Sequence, residues 1–244
     1  MPSNFRMLSV IIPVYNEEST INQVIAKVSA VDLPFEKEII VVDDGSTDGT
    51  ASQLGLIEKA TIRHFVSPEN LGKGSAVRIG LGMARGDVIL IQDADLELDP
   101  AEYHSLLKPI LDGRTAVVYG SRFLHQNSVK TTRRVANYFL TYVTNLLYRT
   151  NLTDMETAYK VFTSDIAKKL TLHAKRFEIE PELTIQFASL GCEIIEVPIT
   201  YHPRTSTEGK KIRWIDGLKA LSTLLRYKFV PGWFAAKSYS RDES

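Results

Sequence analysis

Three runs of apolar, largely β-branched residues, 8-LSVIIPV-14, 38-EIIVVD-43 and 88-VILIQ-92, are continuous rather than alternating. That pattern suits strands covered by helices on both faces, whereas a half-solvated strand alternates. Shorter runs at 62-IRHFV-66, 116-AVVYG-120 and 194-IIEVPITYH-202 add candidate strands. Helical patterns near 17–30, 48–60, 73–85 and 100–112 fall between the early ones, with Asp48 as a start signal and Pro100 near a helix start. Strand–helix alternation of this kind predicts an α/β fold, a mostly parallel sheet flanked by helices. Past residue 121 the alternation stops. Segments near 131–150 and 180–190 read as helices, and 214-WIDGLKALSTLLRYKF-229 as an amphipathic one. No repeat or linker divides the chain, so a single domain over 1–236 is expected, with a frayed tail at 237–244.

Basic and acidic residues balance at 29 each, which gives no bulk charge for nucleic acid. A single cysteine, Cys192, excludes an internal disulfide and a cysteine-rich metal site, and suits a reducing cytoplasm. The start MPSNFRMLSV has no signal-peptide pattern, and no run of about 18 apolar residues reads as a transmembrane helix. The expectation is a cytoplasmic protein, or one peripheral on the cytoplasmic face of a membrane.

In open α/β sheets ligands bind outside the carboxyl ends of the strands. Three such ends lead into 13-PVYNEES-19, 43-DDGSTDGT-50 and 93-DADLE-97. Singly, each has a plain alternative: a turn with a helix cap, an acidic first helical turn, or solvated loop carboxylates. Together at one sheet edge they make coincidence a poor explanation. Asp93, Asp95 and Glu97 occupy alternate positions, so an extended chain would bring them to one side. Hard carboxylate oxygens suit Mg²⁺ or Mn²⁺, completed by the phosphates of a diphosphate, while zinc lacks a Cys/His set here. A further loop, 70-NLGKGSAVRIGL-81, sets Gly72 and Gly74 around Lys73 at a helix start, a place that favours anions, although a capping glycine loop would look similar. It has neither P-loop spacing nor a GxGxxG pattern.

The stretches 9-SVIIPVYNEE-18, 41-VVDDGSTDGT-50, 70-NLGKGSAVRIGL-81 and 92-QDADLE-97 resemble the family 2 glycosyltransferases of GT-A fold. In the second half, 119-YGSRF-123, 156-ETAYKVF-162, 178-EIEPEL-183 and 196-EVPITYHPRTSTEGKKIRWIDGLKAL-221 are similar to polyprenyl-phosphate sugar transferases, especially dolichyl-phosphate mannose synthases. The resemblance covers roughly residues 8–229. It implies that Pro13, Tyr15, Glu17 and Asp44 line a nucleoside pocket, joined around a nucleotide-sugar by Lys73, Asp93, Ala94 and Asp95. It also implies a metal held by Asp93, Asp95 and Glu97, where relatives often carry Gln at the last position, and an inverting transfer. GDP-mannose is the donor that the resemblance favours, with UDP-glucose and other UDP-sugars as alternatives.

A phosphate acceptor is largely dianionic at neutral pH and needs cations to hold it, whereas a hydroxyl acceptor needs a base. Two stretches offer cations: 121-SRFLHQNSVKTTRR-134 and 204-RTSTEGKKIRW-214. A solvated basic face is the plain alternative for both. Arginine forks suit phosphate, so Arg122 and Arg133 are expected to hold the acceptor phosphate of a dolichyl or undecaprenyl chain. Arg204 and Lys210 or Lys211 are expected to close over the reacting groups. Asp154 and Glu156 are expected to orient the sugar or an arginine, or to act as base if the acceptor is a hydroxyl. A lipid acceptor requires a membrane surface, for which 212–234, with Trp214, Trp233 and Phe234, is the candidate contact; packing of that helix on the domain fits equally. The remaining alternatives are a nucleotidyltransferase, which lacks its Gly-rich loop here, and a non-catalytic nucleotide-binding protein.

Overall fold

The structure, a computed structural model, describes residues 5–57, 60–124, 132–203 and 214–230, with the backbone alone at 132–134 and 214. Seven strands, β1 (Met7–Val14), β2 (Glu36–Asp43), β3 (Ile62–Val66), β4 (Val88–Ile91), β5 (Val117–Ser121), β6 (Lys160–Thr163) and β7 (Ile194–Pro198), form one sheet. Their spatial order is β3, β2, β1, β4, β6, β5, β7. The first four run parallel, β6 is antiparallel to both β4 and β5, and β5 is parallel to β7. This is the mostly parallel α/β sheet expected of a GT-A fold.

Helices cover both faces because the strands alternate two apolar sets. Leu8, Val10 and Ile12 of β1 join Val41 and Leu90 against α1 (Ile21–Ala30) and α4 (Tyr103–Leu111). Ile11, Ile89 and Ile91 face the other way, into a layer of α3 (Lys73–Met83), α5 (Thr132–Tyr148), α7 (Ile179–Ser189) and α8 (Trp214–Phe229). Each fully buried Val, Ile or Leu is worth about 1.5–3 kcal/mol relative to exposure, so two-sided burial holds β1 and β4 at the sheet centre.

Several boundaries differ from the expectations. Helix α1 starts at Ile21 because residues 15–20 are tied instead to the loop after β2. Helix α2 (Thr50–Leu54) is short, since only Thr50 and Leu54 find a buried partner surface. The segment near 100–112 opens with a 3₁₀ turn (Pro100–Glu102), in which the Asp99 carboxylate accepts from Ala101 N at 3.1 Å, before α4 begins. Strand β6 and the following α6 (Ser164–Ala167) were not anticipated, and β7 ends at Pro198 rather than residue 202. Strand β4 ends at Ile91, short of the acidic stretch. The tail 237–244 lies outside the described residues.

Candidate functional site

The loops after β1 and β2 are zipped together by short polar side chains. Asn16, at φ 50°, donates its amide N–H to Ser46 Oγ at 2.9 Å and accepts from Thr47 N at 2.7 Å. Glu17 N donates to Thr50 Oγ1 at 2.9 Å, and Glu18 Oε2 accepts from Gly49 N at 2.7 Å. Thr20 Oγ1 lies within bonding distance of both Glu17 Oε2 and the Ala94 carbonyl, 2.8 Å each, which links the first loop to the end of β4. Pro13, Glu17 and Ala94 are thus buried wall, and Tyr15 is half-buried beside them.

Asp44 reaches across to the glycine loop. Its two carboxylate oxygens accept the backbone N–H groups of Leu71 and Gly72 at 2.8 and 2.7 Å. Burial nevertheless raises its carboxyl above the usual range, with those amides opposing. Gly72 is at φ 99°, and a Cβ there would lie 2.4 Å from the Lys175 carbonyl oxygen, so the loop passes where only glycine fits. This arrangement aims Lys73 inward from the first turn of α3.

Lys73 Nζ sits 2.7 Å from Asp93 Oδ1 and 2.9 Å from Glu180 Oε1. Burial works against its charge, yet the two carboxylates outweigh burial and raise its pKa. Glu180, on α7, is also 2.6 Å from the ammonium of Lys160, a fully buried residue on β6. Burial would lift the Glu180 carboxyl, but Lys160 and Lys73 hold it below its ordinary value. Beneath them Gln92 Oε1 accepts from the hydroxyls of Tyr103 and Tyr159 at 2.9 and 2.8 Å, which fixes the exit of β4.

The chain after Gln92 bends, with Leu96 at φ 58°, so Asp93, Asp95 and Glu97 do not follow the strand alternation that the spacing suggested. Asp95 Oδ1 accepts from Glu97 N at 3.1 Å, while Glu97 Oε2 accepts from Tyr201 Oη at 2.9 Å. Among the described residues no group of three His, Cys, Asp or Glu is arranged to hold a metal ion. A preformed protein cage is therefore not what this edge offers. Asp93 gives one oxygen to Lys73, so Asp95 and the other oxygen of Asp93 are what fit a hard divalent cation bound through one or two carboxylates and completed by substrate phosphates.

Arg122 follows β5 and is gripped by Asp154. Its Nε and Nη2 lie 2.7 Å from Asp154 Oδ2 and Oδ1, and Asn137 Nδ2 donates to Oδ1 at 2.6 Å. Burial would raise the Asp154 carboxyl, but Arg122 and these hydrogen bonds hold it below the usual range. Behind it, Glu196 accepts from Thr153 N and Asp154 N at 2.8 and 3.0 Å. The Arg122 guanidinium also lies 5.4 Å from the ring centroid of Tyr201, the residue bonded to Glu97. Glu97 O accepts from His202 N at 2.9 Å, so the segment entering 204–213 is moored to the acidic bend. Arg204, Lys210 and Lys211, and the side chain of Arg133, lie outside the described residues. Sequence reasoning did not single out Thr20, Gln92, Lys160, Glu180, Glu196 or Tyr201; most fall inside quoted stretches, but their partners are distant in the chain.

Glu156 differs from its neighbours. Its Oε1 is sealed from solvent and accepts no hydrogen bond among the described residues. Burial pushes its carboxyl up to about 7, with Glu180 adding and Lys160 and Arg122 opposing. A carboxyl raised by folding stabilises while protonated, and that stability drains away as pH climbs from about 4.5 through about 7. Glu156→Gln is therefore expected to be about 1–3 kcal/mol more stable than wild type near pH 8, with little difference near pH 4. Urea midpoints of the two chains across that range check it, and parallel curves would refute it.

Helix α8 packs through Ala220 and Leu224, so the amphipathic segment docks on the domain through one face. No helix among the described residues is long and apolar enough to cross a membrane.

A family profile described as "Glycosyl transferase family 2" matches residues 9–171. The chain is 30% identical over 244 residues to a dolichyl-phosphate beta-glucosyltransferase of Dictyostelium discoideum, covering 91% of this chain and 74% of that one. It is 27% identical over 237 residues to a dodecaprenyl-phosphate galacturonate synthase of Rhizobium johnstonii, covering 93% and 70%. Among solved structures it is similar to glucosyl-3-phosphoglycerate synthase of Mycobacterium tuberculosis, in complex with Mn²⁺, UDP and phosphoglyceric acid. The TM-score is 0.72 at 23% identity, covering 93% of this chain and 80% of that one, and the likeness is one of fold.

Proposed function

Because this chain belongs to glycosyl transferase family 2, we propose that it moves a sugar from a nucleotide-sugar to the phosphate of a polyprenyl phosphate, with inversion. The observation that carries the reading is the Arg122–Asp154 pair. Asp154 is consumed in holding the guanidinium, so it is not available as a base, and Arg122 is a fixed donor group at the end of β5. That is what a phosphate nucleophile needs. The relatives named for dolichyl and dodecaprenyl phosphate support the same acceptor class. They name glucose and galacturonate, and the UDP-bound structural neighbour adds to this, so a UDP-hexose is better supported as donor than the GDP-mannose that the motifs suggested.

In this reading Pro13, Tyr15, Glu17 and Asp44 shape the nucleoside end of the cleft, and Lys73 faces the donor phosphates. Asp93 and Asp95, with Glu97 behind them, would hold Mg²⁺ or Mn²⁺, which when bound neutralises charge on the departing diphosphate. Arg122, with Arg133, orients the acceptor oxygen toward the anomeric carbon, and Arg204, Lys210 and Lys211 close over the leaving group. A second reading has one observation in its favour. Glu156 Oε1 is buried and accepts no hydrogen bond among the described residues, so it is an uncommitted carboxylate, raised by burial, that a hydroxyl acceptor could use as base.

The test is a donor panel of UDP-glucose, UDP-galactose, UDP-GlcNAc and GDP-mannose with a short polyprenyl phosphate and Mn²⁺ or Mg²⁺, products read by mass. Sugar-phosphoryl-lipid that disappears with EDTA supports the proposal. Transfer only to hydroxyl acceptors, lost in Glu156→Gln, replaces it with the second reading.

A further inference from the structure

Helix α5 packs Leu140, Val143 and Leu147 on the domain and buries polar side chains among them. Its inner side carries Asn137, Thr141 and Thr144 beside Leu140, all buried. These polar groups are used: Asn137 donates to Asp154, Thr141 Oγ1 donates to Asn137 Oδ1 at 3.0 Å, and Met155 N donates to Thr141 Oγ1 at 3.1 Å. The outer side carries Val135, Phe139, Tyr142 and Leu146, between 55% and 69% exposed. These positions fall on one helical stripe. A surface helix ordinarily turns its polar side to solvent, and an apolar stripe left toward water marks a contact surface.

The stripe continues on a neighbouring helix. Helices α5 and α8 pack on each other and on α7, and Tyr148 Oη donates to the Leu224 carbonyl at 2.6 Å. With Ala220 and Leu224 turned inward, α8 leaves Leu218, Leu225 and Phe229 exposed on its outer side. The sequence of this region is predominantly basic. Residues 121–150 contain Arg122, Lys130, Arg133, Arg134 and Arg149 and no Asp or Glu, and α8 adds Lys219, Arg226 and Lys228 against Asp216 alone. At its near end α5 meets the candidate site. Phe123, next to Arg122, stacks on Tyr138 with ring centroids 5.0 Å apart.

We propose that the outer faces of α5 and α8 together dock on an anionic phospholipid bilayer, lying in its interface and turning the Arg122 end of the cleft toward the headgroups. Aromatic and aliphatic residues flanked by Lys and Arg have the composition of an interfacial helix. A second copy of the chain fits less well, because a two-fold contact would set this basic surface against itself. The lipid-phosphate reading enters only in choosing a bilayer as occupant.

The experiment is flotation of the full chain with vesicles of phosphatidylcholine, alone or mixed with phosphatidylglycerol. Wild type is expected to float with the mixed vesicles, less so at high salt. Phe139→Asn/Tyr142→Asn/Leu146→Asn should lower the partition coefficient about tenfold or more, whereas Leu56→Asn, at an 83% exposed leucine elsewhere, should leave it unchanged. The headgroup and salt dependence of wild type stands as a test even if the triple variant unfolds. Wild type that ignores anionic vesicles overturns the proposal, as does a folded triple variant that binds like wild type. So does a wild-type dimer in sedimentation equilibrium that the triple variant dissolves, which assigns the face to self-association. Nucleotide-sugar titration without vesicles separates this from the transferase reading. Vesicle binding without donor binding keeps the surface and loses the transferase; donor binding without vesicle binding does the opposite.

Discussion

Glu180→Ala is expected to cost about 3–5 kcal/mol of folding stability, the range for breaking a buried ion pair from one side. Each of its oxygens holds an ammonium, Lys73 at 2.9 Å and Lys160 at 2.6 Å. Lys160 is fully buried; without Glu180 its partners among the described residues are the Met155 and Thr157 carbonyls, at 3.1 and 2.5 Å, and the ring of Tyr119. Neutral acceptors do not compensate a buried charge. Glu180→Gln should lose less, since it keeps the shape and one polar contact. Lys160→Met combined with Glu180→Gln should lose less than the sum of the single changes, because the uncompensated charge is gone. The effect has a pH signature. A carboxyl held below its ordinary value contributes stability above the unfolded pKa near 4.5, and loses it as pH falls through the lower folded value. The gap between wild type and Glu180→Ala should therefore be widest at neutral pH and narrow on acidification. Urea unfolding at several pH values measures it, and a neutral-pH gap under about 1 kcal/mol would show that Lys160 tolerates burial alone.

Arg122→Ala is expected to lower kcat for a polyprenyl-phosphate acceptor about 100- to 1000-fold, with nucleotide-sugar affinity nearly unchanged. The substitution also strands Asp154, which is fully buried and loses its bidentate partner. Arg122→Met with Asp154→Asn removes both charges and should recover stability without recovering transfer. Arg122→Lys keeps the charge but not the fork, and should stay well below wild type. Steady-state kinetics beside unfolding midpoints tell these roles apart. If transfer returned with stability in the double variant, Arg122 would be a structural residue and the acceptor phosphate would be held elsewhere.

The central strands and the three loops at their carboxyl ends were legible because each signal is local: a continuous apolar run, then residues suited to turns. Strand β6 was not legible. It is four residues long, includes a lysine, and owes its existence to a slot between β4 and β5. For the same reason Lys160 and Glu180 carried no visible charge chemistry, since their pairing exists only once β6 lies under α7. Asp44 was visible as an acidic loop residue, but its hold on the Leu71 and Gly72 amides depends on a crossing that no spacing announces. The polar inner face of α5 was readable only as a helix. Which of its sides is inside became decidable once Asp154 was seen to need Asn137.

The antiparallel insertion of β6 also has a consequence for how the chain is made. β4 pairs with β1 on one side as soon as both exist, but its other side waits for residues 160–163. At ribosomal rates of about 5–20 residues per second, the 72 residues from 92 to 163 leave that side open for roughly 4–14 s. The waiting edge is Val-Ile-Leu-Ile, with no charge or proline to discourage another strand. A nascent chain is thus expected to expose an unguarded strand edge midway through synthesis, and a fragment ending before Lys160 lacks the strand that covers it.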